Sequence, residues 1–284
     1  MQEGARERGF TMIHHRWDIS PRQAMALQRR LAGSVSVRPL AQPVRTVAGA
    51  DCAALDDRTI VCAAVLCDAR TRAILGASVE VRKCRFPYVP GLLSFREAPA
   101  VIAAVAKLPH RPDLLMIDGQ GVAHPRRAGL ASHVGLWLGV PTIGVAKSRL
   151  CGQHRPVGLR RGSRSRLVDA GETIGCVLRT RDGVKPLCVS VGNRITLEEA
   201  RRWVLRCTRR RVWAATRRGG GPFRLPEPTR QAHLLVNRIV VALKTGGGAL
   251  PTYPDVHRDF GLPVPAAILR GGGPEVLAGR RARP

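Results

Sequence analysis

Three β-prone runs follow one another with almost no chain between them, at residues 44–53, 59–67 and 74–84. Asp56-Asp57 and the stretch Asp-Ala-Arg-Thr-Arg at 68–72 are the only separators, too short for a crossover helix. The runs must therefore pair as an antiparallel meander joined by hairpin loops. Beyond it the pattern changes period. Residues 98–108 are Ala- and Val-rich with helical spacing, and Leu114-Leu-Met-Ile117 is a continuous apolar run of the kind found in buried parallel strands. A helix at 128–138, a strand at 141–146, and strands at 176–179 and 187–191 follow. A meander leading into alternating helix and strand predicts an α/β protein with a mixed sheet flanked by helices.

Two helix starts are written plainly. Ser20-Pro21-Arg22-Gln23 supplies an N-cap, a proline at the first position and a glutamine three residues after the cap, opening a helix that runs to about Leu31. Thr196 with Glu199 caps an amphipathic helix over 197–207. Residues 1–11 are patternless, and Met12 is an alternative start; after Leu243 the chain turns Gly/Pro-rich. One catalytic domain at 12–244 is expected, between a disordered extension at 1–11 and a disordered tail at 245–284.

The chain carries 47 basic and 20 acidic residues, a net charge of +27. Such an excess points to a polyanionic partner, nucleic acid first, although only five of the basic residues are Lys and arginine richness also accompanies GC-rich genes. Of the eight cysteines, none forms a C-x-x-C pair or a zinc-finger grouping, and several lie inside apolar runs. With no secretory signal and no long apolar span, the expectation is a reduced, cytoplasmic protein with no membrane contact, acting as a monomer.

Acidic residues stand at informative places. Asp51 interrupts the otherwise uncharged Val-Ala-Gly-Ala-Asp-Cys-Ala-Ala, Asp118 ends the Leu-Leu-Met-Ile run, and Glu97 lies between them. Each has a plainer reading: a satisfied core acid, a turn former before glycine, and the third residue of a capping box with Ser94. Pro99 argues against that box and favours a helix beginning near Glu97. Together, at the ends of elements along one sheet edge, the three carboxylates suit a hard cation such as Mg²⁺, with Mn²⁺ as a substitute. Lys147, closing Thr-Ile-Gly-Val-Ala-Lys, is placed to stabilise charge on a phosphoryl centre, or simply snorkels at a strand end. Between Pro87 and Pro90, Tyr88 sits on a stiff tip, the form of a wedge aimed at stacked bases.

These residues resemble the endonuclease V family. The resemblance rests on FPYVPGLLSFREAP at 86–99, DGQGVAHPRRAGLASHVG at 118–135, PTIGVAKSRLCG at 141–152, LPEPTRQAH at 225–233 and HHRWDISPRQAM at 14–25. It implies an RNase H-like fold and Mg²⁺-dependent cleavage of DNA at the second phosphodiester bond 3′ to deoxyinosine, the product of adenine deamination. It further implies that Asp51 and Asp118 bind the metal, that Glu97, Lys147 and His233 join them in catalysis, and that Tyr88 fills the gap left by a flipped base. Gly91, Leu93, Gly119, Gly121, His124 and Leu130 match the lesion pocket. Arg126-Arg127 reads as a phosphate anchor, and His133, in an apolar helix, as a structural histidine. The basic stretch at 209–223 departs from the family as an apparent insertion. Other readings are another RNase H-like nuclease, such as a resolvase or an inosine-directed ribonuclease, and a non-catalytic nucleic-acid-binding protein.

Overall fold

The segment Thr59–Asp68 is apolar along almost its whole length because both of its faces are covered. Ile60, Cys62, Ala64 and Leu66 pack into one core and Val61, Ala63, Val65 and Cys67 into another. A strand with period-two alternation buried on both sides reads as a continuous apolar run.

That segment is β2 in a computed structural model that describes residues 13–208 and 227–245. The described elements run α1 (Pro21–Ala32), β1 (Thr46–Asp56), β2 (Thr59–Asp68), β3 (Ile74–Lys83), α2 (Leu93–Ala106), β4 (Leu114–Ile117), α3 (Leu130–Leu138), β5 (Thr142–Ala146), β6 (Arg164–Asp169), β7 (Glu172–Leu178), β8 (Leu187–Asn193), α4 (Leu197–Cys207) and α5 (Glu227–Thr245). The eight strands form one mixed sheet in the order β3-β2-β1-β4-β5-β8-β7-β6. The meander β1-β2-β3 is antiparallel, β1-β4-β5 is parallel, and β5-β8-β7-β6 is antiparallel again. The α/β mixed sheet with its leading meander is the fold class expected. Residues of α1, α2 and α3 share the core on one face, while α4 and α5 pack on the other.

Three differences have physical causes. The helix after the tyrosine tip begins at Leu93 rather than near Glu97, so Pro99 lies inside α2. Proline there removes one backbone bond, a cost of roughly 3 kcal/mol. The burial of Phe95, Ala98, Ala100, Val101 and Ala104 on this helix outweighs it. Nor is there a capping box: Leu92 caps α2 without a side-chain bond, and Ser94 Oγ instead meets His133 Nδ1 at 3.1 Å. Finally, β6 is an edge strand whose alternating Arg-Ser-Arg pattern reads as loop in sequence. The expected extension at 1–11, insertion at 209–223 and tail from 246 lie outside the described residues. No described helix is long and apolar enough to cross a membrane.

Candidate active site

Strand geometry aims Asp51. Along β1 the even residues Ala48 and Ala50 enter the core beneath α2, so Val47, Gly49 and Asp51 face the opposite layer. β1 pairs with β4 only as far as Ala50↔Ile117, while its pairing with β2 continues to Thr59. Asp51 is thus the first β1 residue beyond its β4 neighbour, and Asp118 follows Ile117 at the end of that neighbour, its N–H bonded to Ala50 O at 3.0 Å. Lys147 follows the last residue of β5, the next strand over. The carboxyl ends of adjacent parallel strands are where open α/β sheets gather ligands.

The fourth member arrives from far along the chain. Gly49 lies directly beneath α5: a β-carbon there would stand 2.1 Å from Thr229 N and 2.2 Å from the Pro228 carbonyl carbon. Only glycine lets the start of α5 seat so closely on β1, and one turn later His233 reaches Asp51. His233 Nδ1 is 2.5 Å from Asp51 Oδ2. Nδ1–H donates to the carboxylate, a proton that a divalent cation at this site would displace, while Asn237 Nδ2 donates to Nε2 at 3.0 Å from the next turn of the helix. Asn237 escaped the sequence reading; its signal is the i, i+4 spacing from His233.

One ligand atom each from Asp51, Asp118 and His233 lie within 4.8 Å of one another. Lys147 Nζ is 2.5 Å from Asp118 Oδ2 and 3.4 Å from His233 Nδ1. Glu97 approaches from α2, outside this tight group but close enough to feel it. Burial, then the charges of Asp51 and Asp118, push its carboxyl up to about 8. Asp118 is also raised, by burial and then by Asp51, against the opposing pull of Lys147 and His233. Carboxylates pushed upward by burial first and by one another second mark a site short of positive charge. Two carboxylates and one imidazole are a donor set that fits a divalent ion of the Mg²⁺ or Mn²⁺ kind.

Tyr88 is 71 % exposed, as a wedge requires. Behind it, Gly91 O accepts from His124 Nε2 at 3.0 Å and from Arg126 Nη2 at 2.7 Å. His124 Nδ1 accepts from Arg126 N at 3.0 Å, so both ring nitrogens are spent on backbone. Burial, with Arg126 beside it, drives His124 down to about 4, so the ring is neutral. Gly119 packs on Leu130, a β-carbon there falling 3.3 Å from Leu130 Cδ2, and Leu93 is exposed at the start of α2. Gly121 is different in kind. Its N–H donates to Ser190 Oγ and its carbonyl accepts from Gly129 N, both at 2.9 Å, so its donor is already spent within the fold. A β-carbon there would lie 2.0 Å from Val191 O. Gly121→Ala should cost at least about 2–4 kcal/mol through overpacking against backbone, measured by denaturant unfolding.

Two sequence readings of the neighbouring residues are corrected or kept. Of the Arg126-Arg127 pair read as a phosphate anchor, Arg127 is neutralised by Asp169 and Glu172 at 2.9 and 2.7 Å, while Arg126 donates to the neutral Gln28 Oε1 and Gly91 O and keeps its charge. His133 is structural as expected, buried between Ser94 Oγ and His15 Nε2.

Comparison with known proteins bears on this arrangement. A model of the Endonuclease V family matches residues 29–234. The Endonuclease V of Azotobacter vinelandii is 46 % identical over 223 residues, covering 78 % of this chain and 96 % of that protein. The crystal structure of Endonuclease V from Streptomyces avermitilis superposes with a TM-score of 0.70 at 41 % identity, over 81 % of this chain and 96 % of that one. Ciona intestinalis Endonuclease V, solved with a 24mer DNA containing an inosine followed by a ribo-adenosine, shares the fold at 23 % identity and TM-score 0.62, over 80 % and 98 % of the two chains. The matched span reaches from α1 through His233 and so contains every side chain of the acidic centre: the chain belongs to the endonuclease V family.

Proposed function

We propose that this nuclease is Mg²⁺-dependent, recognises deoxyinosine in DNA, and hydrolyses the second phosphodiester bond on its 3′ side. The observation that carries the reading is the convergence of Asp51, Asp118 and His233 within 4.8 Å, beside Lys147. Asp51, Asp118 and His233 would hold the divalent ion, Mg²⁺ or Mn²⁺ in its place, which would supply Lewis-acid polarisation of the scissile phosphoryl group. Lys147, freed from Asp118, neutralises charge gathering on the phosphoryl oxygens. Glu97, buried beside Asp51 and Asp118, is the third carboxylate, placed to give or take a proton at its oxygen during hydrolysis.

Recognition is assigned to the tip and the surface behind it. Tyr88 fills the gap of the flipped nucleotide, and an inosine pair is weak, which lowers the few kcal/mol that flipping costs. Gly91, Leu93, Gly119 and Leu130 shape the lesion pocket, while His124 and Gly121 support it from behind, their polar groups already engaged. None of the eight cysteines is in a disulfide, which favours a reducing, cytoplasmic setting. The protein acts as a monomer.

The test is nicking of a duplex with one deoxyinosine beside an undamaged control. Mg²⁺ should yield a cut one linkage beyond the lesion's immediate 3′ bond, EDTA should abolish it, and Mn²⁺ should restore it. Equal cutting of the control defeats the inosine assignment. Tyr88→Ala should slow duplex cleavage by roughly tenfold or more, as flipping loses its wedge, with a smaller effect on single strands, where there is no partner base to displace.

A further inference from the structure

A second concave surface lies on the other side of the tyrosine tip. It is a recess of about 290 Å³ lined by Trp17, Arg82, Lys83, Arg85, Phe86 and Phe95, with Asp18 its one acidic side chain. Helix α2 divides it from the acidic centre. Glu97 turns toward Asp51 and Asp118, whereas Phe95 and Pro99 line the recess. Two residues along an α-helix is a turn of about 200°, so these are opposite faces. In sequence the division repeats: Arg85-Phe86-Pro87 precede Tyr88 on the recess side, and Gly91 and Leu93 follow it on the pocket side.

The recess sets a cationic rim over a floor of rings packed into the core: Phe86 is 7 % and Phe95 2 % exposed, and Trp17 stacks on His133. Phe86 and Phe95 stack with centroids 5.4 Å apart, and Trp17 meets Phe95 edge-on at 6.3 Å. Arg82, Lys83 and Arg85 are exposed around it. Lys83 Nζ bonds Thr59 Oγ1 at 3.2 Å, and Arg82 reaches Glu80 only at 3.8 Å. Beneath them the buried Arg96 gives its guanidinium to two neutral carbonyls, Phe86 O at 2.8 Å and Asp57 O at 3.0 Å, adding positive charge that no carboxylate oxygen cancels there. A groove edged with exposed cations is how proteins track a nucleic-acid backbone. The chain's own remaining segments do not complement such a surface. Residues 1–12 hold two Glu against two Arg, 209–226 hold only basic charges, and 246–284 hold five Arg against three acids.

We propose that this recess binds the strand opposite the lesion, its phosphates on Arg82, Lys83 and Arg85. A wedge with a flipped base on one side leaves an orphaned partner on the other, and this is the concave, cationic surface at that place. The inference rests on the reading of Tyr88 as a wedge. It predicts a preference for duplex over single-stranded DNA that resides in this recess rather than in the acidic centre.

The experiment compares wild type with the R82A/K83A/R85A variant, whose substitutions are all exposed. Binding is measured in EDTA by fluorescence anisotropy to one deoxyinosine strand, alone and annealed to its complement, across a salt series. Duplex affinity should fall roughly 10- to 100-fold and the salt slope by about two to three, while single-strand affinity stays within about threefold. Equal losses on both ligands, no loss on either, or a wild type that binds the single strand as tightly as the duplex would each overturn the assignment. Wild-type nicking of the same duplex with Mg²⁺, run in parallel, tests the cleavage reading separately: a protein that fails to nick yet loses duplex affinity in the variant refutes the lesion chemistry and keeps the recess.

Discussion

Asp118→Asn should lower Mg²⁺-dependent nicking at least about a thousandfold while leaving affinity for the inosine duplex undiminished. The substitution preserves shape and removes one charge from a site where Asp51, Asp118 and Glu97 already repel one another. The divalent ion loses one of its two carboxylates, and each 1.36 kcal/mol of lost transition-state stabilisation is about tenfold in rate, so roughly 4 kcal/mol gives the thousandfold. Binding moves the other way. Lys147, no longer held 2.5 Å from a carboxylate, and a less negative cleft both favour a polyanion. Single-turnover cleavage and anisotropy binding, measured on the same preparation, separate the two effects. Nicking that survives above a tenth of wild type would place the chemistry elsewhere; parallel loss of binding would mean that Asp118 supports the fold rather than the reaction.

The carboxylates of that site were legible because each breaks a local rule. Asp51 interrupts a strand that is otherwise uncharged, and Asp118 ends a run of four buried apolar residues. Residues that contradict their surroundings mark function when the fold brings them together. α5 approaches β1 closely over Gly49, where a β-carbon would stand 2.1 Å from Thr229 N. The identity of that approaching element was not legible. Asp51 and His233 are 182 residues apart, and no periodicity links a helix to a particular strand face. His233 entered only through a family motif; its packing reason appears once α5 is seen lying on β1 and β2, with Ala232 and Val236 in their core.

Local grammar succeeded where local chemistry decides. The Ser20 and Thr196 capping boxes are both formed, at the residues their spacing names. It failed where burial overrides propensity. Pro99 reads as a helix boundary, yet α2 runs through it because its other side chains are in the core. Strand β6 alternates arginine with serine and carries its apolar content on Leu167, so nothing in its composition separates an edge strand from a loop. The arginines at 126 and 127 show the converse limit. In a chain of +27 a basic pair suggests phosphate, but Asp169 and Glu172 neutralise Arg127, and only Arg126, held by neutral oxygens, keeps its charge.

Glu97→Gln should abolish most nicking and, in EDTA, make the protein more stable. The folded environment raises the Glu97 carboxyl from an ordinary 4.5 to about 8, first by burial and then by Asp51 and Asp118. A group whose folded pKa lies above its unfolded value holds its proton more tightly in the folded state. Its contribution to stability is therefore full below pH 4.5 and is lost as pH rises through about 8. In EDTA the wild-type Tm should accordingly decline between pH 5 and 8.5 more steeply than that of the glutamine variant. The variant should stand higher at the alkaline end by on the order of a few degrees. Adding Mg²⁺ at pH 8.5 should narrow or reverse that gap, because ligand binding stabilises the native state of the wild type and the variant has lost part of the negative field that attracts the ion. A cluster retained for fold stability would behave oppositely, with Glu97→Gln lowering Tm at every pH and Mg²⁺ leaving the difference unchanged. Thermal denaturation at three pH values, with and without Mg²⁺, distinguishes a site that sacrifices stability to hold an ion from one that is simply a buried polar knot.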